Sequence, residues 1–186
     1  GQADHAAEIA ANKWADETLP EAPGEDEPYE RARLAMCWLL TAPGAPMLYM
    51  GDEYGEFGGR DPDNRHMWRP ESQLNKREAA LLKSVRALGL ARRDHPALRR
   101  GELTSLGASE TLLPFVRGGP ASVLVVINSG SQAVATLLPA NKTTIPPGDY
   151  PDALGFGGGL SVDSTGAKVT VAGRSCALFV NVLTFP

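Results

Sequence analysis

The stretch RLAMCWLLTAPGAPMLYMGDEYGEFGGRDPDNRHMW, residues 33–68, decides the fold of this chain. It opens on a segment that is apolar almost all round, which predicts the buried end of a helix capped by Asp26 or Glu27 with Pro28 in its first turn. Residues 46–50, PMLYM, form an unbroken apolar run, typical of a parallel strand covered on both faces. The stretch therefore predicts a helix, a buried strand and a long glycine-rich loop, in that order.

A second helix follows the loop. Ser72 is the predicted cap, and leucines and a valine recur after it at helical spacing until Gly89. Pro96 then begins one more short turn that Gly101 closes. The first 28 residues are alanine-rich and then rich in proline and acids, which predicts a frayed helix followed by an exposed loop.

From Leu103 onward the pattern changes to short β-type runs separated by turn residues: TLLPFV, SVLVVIN, AVATLLP, KVTVAG and CALFVNV. This pattern predicts an all-β antiparallel sandwich of Greek-key type, or a barrel, with about six to eight strands. The chain is thus expected to be multi-domain, with a helical part at 1–100 and a β-domain at 101–186. A lone buried strand at 46–50 needs neighbours that the helical part does not offer, so we expect them upstream or from another chain.

Composition excludes some partners. The 186 residues are 42% apolar, enough to fill a core, and the net charge is -4, from 22 acidic and 18 basic residues. The basic residues form no stripe, so nucleic acid is not an expected partner. No apolar run approaches the roughly 20 residues that cross a bilayer, so no membrane partner is expected either. Cys37 and Cys176 lie in apolar surroundings, which favours buried free thiols over a single long-range disulfide.

Residues 33–68 resemble a pattern of the α-amylase-type glycoside hydrolases, family 13. The pattern is a helix, a Gly-x-Pro strand, Gly-x-Glu at Gly51 to Glu53, Gly-Gly-x-Asp-Pro-x-x-Arg at Gly58 to Arg65, and a Trp. The later strings ARRDHPALRRGEL, FVRGG, LVVIN and GDYPDAL extend the likeness over residues 29–186. The resemblance implies that 1–100 is the C-terminal part of a (β/α)8 (TIM) barrel, with residues 46–50 as its eighth strand, and that 101–186 is the family's C-terminal β-domain.

The family acts by a retaining double displacement that uses an aspartate nucleophile and a glutamate acid/base. The resemblance places those residues on earlier barrel strands, so no catalytic residue is predicted in this chain, which alone should be inactive. The resemblance also implies a second, assisting aspartate that follows a histidine in such enzymes. Asp4 and His5 reverse that order and indicate only a helix surface. Asp52 and Glu53 are adjacent, so on a continuing strand they would point to opposite faces and could not flank one glycosidic bond.

Asp61 and Arg65 are the predicted substrate-binding residues. Pro62 suits the first position of a helical turn that Asp61 caps, which places Asp61 and Arg65 on one face. They could be no more than an exposed ion pair, but the resemblance implies that they hold sugar hydroxyls beside the cleavage point. Trp68 is either a platform for a sugar ring or a packing residue. Glu53 is the predicted structural anchor of the loop.

No metal site or cofactor is predicted in this chain, because His66 lacks partners at ligand spacing, although calcium is possible in the intact enzyme. The expected partners are an α-glucan or maltooligosaccharide, the upstream part of the barrel, and a second copy of the chain through uncovered apolar surface. An extracellular or periplasmic location is favoured over the cytoplasm.

Two other functions compete with α-1,4-glucan hydrolysis. The first is an α-glucan transglycosylase, since nothing in these residues decides whether water or a sugar accepts the glycosyl unit. The second is a glycan- or protein-binding β-module with a helical adaptor. The few aromatic residues of the β-domain lie mostly within apolar runs, which makes the binding module the weaker of these interpretations.

Overall fold

The computed structural model describes residues 22–59, 65–118, 121–138 and 145–180. Its helices are α1 Glu27–Thr41, α2 Lys76–Asp94 and α3 Pro96–Arg100, with a short 3₁₀ turn at Glu71–Gln73 before α2. Its strands are β1 Leu103–Ser105, β2 Leu112–Arg117, β3 Val123–Asn128, β4 Val134–Leu137, β5 Gly148–Pro151, β6 Gly159–Asp163, β7 Gly166–Val171 and β8 Ser175–Val180. The helices end and the strands begin between Arg100 and Leu103, beside the predicted domain boundary.

The strands form two four-stranded sheets in which all described pairings are antiparallel. Sheet A has the order β1-β2-β3-β8, and sheet B has the order β4-β7-β6-β5. In sheet B, β5, β6 and β7 are successive hairpin strands, and β7 lies beside β4, the strand that precedes them in the chain, which is the Greek-key order. The predicted antiparallel sandwich is therefore the observed β-architecture.

Sheet A is covered on both faces. Every residue of β3 is buried, and successive residues belong to different cores because side chains alternate along a strand. One core joins sheet A to the helices through Val123, Val125 and Ile127, and the other joins it to sheet B through Leu124 and Val126. The molecule thus has three layers, helices, sheet A and sheet B, so the helical part and the β-domain share a hydrophobic core.

Helix α1 lies against sheet A. Pro28 occupies its first turn, where the missing N–H costs nothing, and two acidic residues there suit the positive end of the helix dipole. Its buried side includes Met36, Cys37 and Leu40, as the apolar sequence predicts, whereas Trp38 is 45% exposed. At its other end, Glu27 and Glu30 pair with Arg174 beyond β7 at 2.9 and 3.1 Å.

Helix α2 begins later than predicted. Asn75, not Ser72, is its cap: the Asn75 side chain accepts hydrogen bonds from the backbone N–H groups of Arg77 and Glu78, at 2.8 and 3.0 Å. The Glu78 carboxylate accepts the Asn75 N–H at 2.8 Å, which completes a capping box. The helix also continues past Gly89 to Asp94, because Leu88 and Ala91, on either side of the glycine, are buried in the core that also contains residues of α1.

Two buried arginines bind the C-terminal end of α1. Arg92 of α2 donates to the carbonyls of Leu40 and Ala42 at 2.9 and 3.1 Å, and Arg117 of β2 donates to the carbonyl of Thr41. These carbonyls have no partner within the helix, and the helix dipole favours positive charge at this end. One arginine comes from the helical part and one from the β-domain, so both parts hold the same helix terminus.

The predicted strand at residues 46–50 was wrong for this chain. The segment has no regular structure, and four of its five residues are exposed, with Met47 at 84%. None of the described strands pairs with it. A single strand cannot satisfy its own backbone N–H and C=O groups, so an apolar run without neighbours stays extended and solvated.

The prediction of two free thiols was also wrong. Cys37 of α1 and Cys176 of β8 form a disulfide, with their Cα atoms 6.4 Å apart and a separation of 139 positions along the chain. Both residues are buried in the core between the helices and sheet A. Burial was predicted correctly, but it was the packing of α1 on β8 that brought the two sulfurs together.

Candidate functional site

The loop that carries the predicted site starts with a tight turn after residues 46–50. Gly51 and Gly55 have φ angles of +94° and +75°, which glycine adopts without strain. A Cβ on Gly51 would lie 2.6 Å from the Cβ of Glu56, so no other residue fits there. The turn buries Tyr54 to 1% exposure and thereby fixes where the loop leaves the protein.

Glu53 connects the two ends of the loop. Its carboxylate accepts the backbone N–H of Gly51 at 2.9 Å and the indole N–H of Trp68 at 3.2 Å. These contacts support the interpretation of Glu53 as a loop anchor. They also orient Trp68, whose side chain is 54% exposed and so remains accessible to a ligand.

Arg69, immediately after Trp68, joins the loop to the helices. Its guanidinium donates to Glu56 at 2.8 Å and to both carboxylate oxygens of Glu78 at 2.7 and 3.2 Å. Its backbone N–H donates to the Tyr54 hydroxyl at 3.1 Å, and the guanidinium lies 5.3 Å from the centre of the Tyr54 ring. Burial opposes the charged form of Glu56, but hydrogen bonds from Arg69 and His66 outweigh it and hold the pKa of Glu56 below its usual value.

His66 lies at the base of the same loop. Its Nδ1 is 3.2 Å from Glu56, and its ring packs edge-on against Phe57 with the ring centres 5.3 Å apart. Glu56 therefore contacts two residues from the far end of the loop, His66 and Arg69. These polar contacts join the two ends of the loop, Glu56 at one end and His66 and Arg69 at the other.

The structure brings together part of the predicted site. Glu53, Arg65 and Trp68 belong to one loop, and Arg65 and Trp68 are both exposed. Asp61 lies outside the described residues, as do Asp4 and His5, so the joint action of Asp61 and Arg65 stays a prediction. No cluster of three or more His, Cys, Asp or Glu side chains among the described residues could hold a metal ion.

The prediction missed the residues that hold the loop, namely Glu56, Arg69 and Glu78. Glu78 could have been found, because Asn75 followed three residues later by Glu is the capping-box pattern. Arg69 carried no comparable signal, since its three partners lie 9 to 15 residues away along the chain.

None of the helices in the described ranges combines the length and the apolar character needed to span a bilayer.

Comparison with known proteins places this architecture. No protein-family model matches the chain. It is 34% identical over 114 residues to a cyclomaltodextrinase from Geobacillus thermopakistaniensis, which takes in 59% of the chain and 19% of the relative. An α-amylase from Haloarcula japonica is 33% identical over 152 residues, 73% of the chain and 21% of the relative. A cyclomaltodextrin glucanotransferase from Geobacillus stearothermophilus is 32% identical over 138 residues, 72% of the chain and 19% of the relative.

Among solved structures, the α-amylase from Geobacillus thermoleovorans, determined with acarbose, superposes with a TM-score of 0.69 at 26% identity, over 82% of the chain and 33% of that protein. Helices packed on a two-sheet sandwich, together with these matches, show that the chain belongs to the α-amylase-type glycoside hydrolase family. It is homologous to the C-terminal portion of the α-amylase-type enzymes, family 13. The chain spans about a fifth of the length of the curated relatives it matches.

Proposed function

We propose that the chain is the C-terminal part of a retaining enzyme that hydrolyses α-1,4 links in α-glucans or maltooligosaccharides. The observation that carries this proposal is the 33% identity to an α-amylase over 152 residues, which take in 73% of the chain. The chemistry belongs to a pair of carboxylic acids that flank the scissile bond in such enzymes. In this proposal those acids come from the part of the enzyme that precedes the chain.

The helical part is then the end of a (β/α)8 barrel. The order of α1, the apolar residues 46–50, a long loop and α2 matches the last repeat of such a barrel, in which the loop after the strand faces the active site. The exposure of residues 46–50 supports this assignment, because an apolar run of that kind is suited to burial between neighbouring parallel strands. In the intact enzyme the upstream strands and helices would cover it.

The loop supplies substrate contacts in this proposal. Asp61 and Arg65 hold sugar hydroxyls, since a carboxylate accepts and a guanidinium fork donates hydrogen bonds to neighbouring hydroxyl groups. Trp68 offers an aromatic face for a sugar ring, and its exposure and its hydrogen bond to Glu53 support that role. Glu53 acts as the anchor and does not contact the sugar.

An activity assay tests the proposal. The full reading frame that contains the chain is assayed with starch, maltooligosaccharides and cyclodextrins, and the 186-residue chain alone is the control. We expect hydrolysis by the intact protein and none by the chain alone. Turnover by the pure chain that survives Asp61→Ala and Arg65→Ala would overturn the assignment. A parallel assay with a calcium chelator tests whether the intact enzyme depends on calcium.

Glycosyl transfer is the second candidate, because relatives of 31–32% identity are cyclomaltodextrin glucanotransferases. Hydrolysis and transfer differ in the acceptor of the glycosyl unit, which is water in one and a sugar hydroxyl in the other. Chromatography of the products of maltohexaose decides between them. Shorter linear sugars alone indicate hydrolysis, whereas cyclic or longer products indicate transfer.

The disulfide supports an extracellular or periplasmic location, because such bonds persist in oxidising compartments and are rare in the cytoplasm of mesophiles. Thiol labelling of the protein taken from its native compartment tests this part of the proposal. We expect no labelling of Cys37 or Cys176 until the protein is denatured and reduced. Labelling after denaturation without reductant would place the protein in a reducing compartment.

A further inference from the structure

An extensive polar network among the described residues is centred on Arg69, one residue beyond the predicted substrate contacts. Arg69 makes four hydrogen bonds, to Glu56, to both oxygens of Glu78 and, through its backbone, to Tyr54. Glu78 is 1% exposed. A buried carboxylate costs free energy unless it is paired, so Arg69 is the residue that makes this position of Glu78 tolerable.

The network connects three segments whose relative position sets the geometry of the loop. Tyr54 and Glu56 belong to the segment by which the chain enters the loop, and Arg69 lies where the chain leaves it. Glu78 belongs to the capping box of α2, so it is held by the helix itself. A planar guanidinium that binds two carboxylates at once fixes both distance and angle between them.

Resting on the proposed function, we propose that Arg69 is a positioning residue that places Arg65 and Trp68 for α-glucan binding by fixing the end of the loop to Glu56 and to the N-terminus of α2. Arg69 does not contact the substrate. Trp68 immediately precedes Arg69 in the chain. Glu53, in the segment by which the chain enters the loop, orients the Trp68 indole through a hydrogen bond. Without the contacts of Arg69 to Glu56 and Glu78, the side chains of Arg65 and Trp68 are still present, but they are no longer held in the geometry that a sugar ring requires.

A purely stabilising ion pair would have different properties. Arg86 offers a matched control, because it lies on α2, the helix that carries Glu78, and pairs with Glu71 at 2.7 Å, with both side chains 58% exposed. Arg86→Met removes an arginine and an ion pair without touching the loop. Arg69→Lys is the conservative variant, which keeps the charge but cannot bridge two carboxylates in fixed geometry.

The first test is hydrogen exchange on the 186-residue chain. We expect Arg69→Met to speed amide exchange at residues 65–69 by about tenfold or more, while the amides of α2 from Leu81 to Leu88 keep their wild-type rates. Arg69→Lys should give an intermediate rate, and Arg86→Met no change. Unchanged exchange at residues 65–69 in Arg69→Met would overturn the proposal, and Arg69→Lys answers the same question if the Met variant does not fold.

The second test is a double-mutant cycle in the intact enzyme with maltohexaose. We expect Arg65→Ala and Arg69→Met each to raise KM about tenfold, and the double variant to raise it little further, because both remove the same contact. If the double variant instead raises KM by the product of the two single effects, while the wild-type enzyme is normally active, the positioning role is overturned and the proposed function is not. A wild-type enzyme without activity on any glucan would overturn the proposed function as well, so the two failures are distinguishable.

Discussion

Arg117 is a charged residue at the centre of this molecule. Its side chain is fully buried in β2, and its guanidinium donates to the backbone carbonyls of Thr41 and Gly101. Burial, together with the nearby charge of Arg92, lowers the pKa of Arg117 from its usual value. The compensation comes from the partial negative charge of the α1 terminus.

Arg117→Lys should therefore destabilise the protein. A lysine ammonium cannot reach Thr41 and Gly101 together, so at least one buried carbonyl loses its donor. We expect the free energy of unfolding, from urea titration, to fall by about 2 kcal/mol. The matched control is Arg86→Lys at an exposed pair, with an expected change below about 0.5 kcal/mol. Equal changes in the two variants would contradict this account of Arg117.

Glu56 should make the stability of the loop depend on pH. Its pKa in the folded protein lies below the value of 4.5 that an unperturbed glutamate has. The contribution of Glu56 is therefore fully present above pH 4.5 and is lost as the pH falls through the lower, folded pKa. In urea titrations, we expect wild type to lose more stability than Glu56→Gln as the pH falls below 4.5. Glu71→Gln, at an exposed pair, should follow the wild-type curve.

The residue types of the candidate site could be predicted from the sequence, but the contacts that hold those residues in place could not. Glu53 and Trp68 were predicted as site residues because a recognisable pattern contains them, and their mutual hydrogen bond could follow only from the turn at Gly51. Arg69 was not found because its role depends on three partners that the fold brings together from separate segments. Sequence spacing carries no record of such contacts unless they fall within one helical turn or one hairpin.

The secondary-structure elements show the same division. The β-runs were predicted well because alternation and turn residues are local signals, and β3 reads as continuous because it is covered on both faces. Residues 46–50 carry the same apolar signal. That signal indicates that the segment is suited to burial between neighbouring strands, but none of the described strands lies beside it. Helix α2 begins directly after its cap Asn75, because the reciprocal hydrogen bonds of the capping box outweigh a lone serine cap.

The disulfide joins two elements that are far apart in sequence. A crosslink that closes a loop of more than a hundred residues limits the unfolded chain strongly. We expect the double variant Cys37→Ala, Cys176→Ala to unfold with about 3–4 kcal/mol less free energy than wild type. The control is reductant, which should lower the stability of wild type in urea and leave the double variant unchanged. A wild-type protein insensitive to reductant throughout its unfolding transition would contradict the presence of the bond.

At the scale of the whole molecule, the chain alone presents an uncovered apolar surface. Met47, Leu48, Tyr49 and Met50 are exposed, and so is Trp38 of α1. Surfaces of this kind usually associate with another chain. We therefore expect light scattering at micromolar concentration to show a species larger than a monomer. The variant Met47→Ser, Leu48→Glu, Met50→Ser should shift the population toward the monomer, and a wild-type chain that is already monomeric would contradict this expectation.

The position of β8 bears on how the chain is made. Strand β8 completes sheet A beside β3 and carries the cysteine that bonds to α1, yet it is the last described strand to leave the ribosome. During translation the apolar sides of α1 and β3 therefore stay uncovered while more than forty residues after β3 are synthesised. A chaperone that binds nascent chains would meet this protein in that interval. A premature stop codon just before residue 175 would leave almost every helix and strand encoded and still yield a product that cannot close its core.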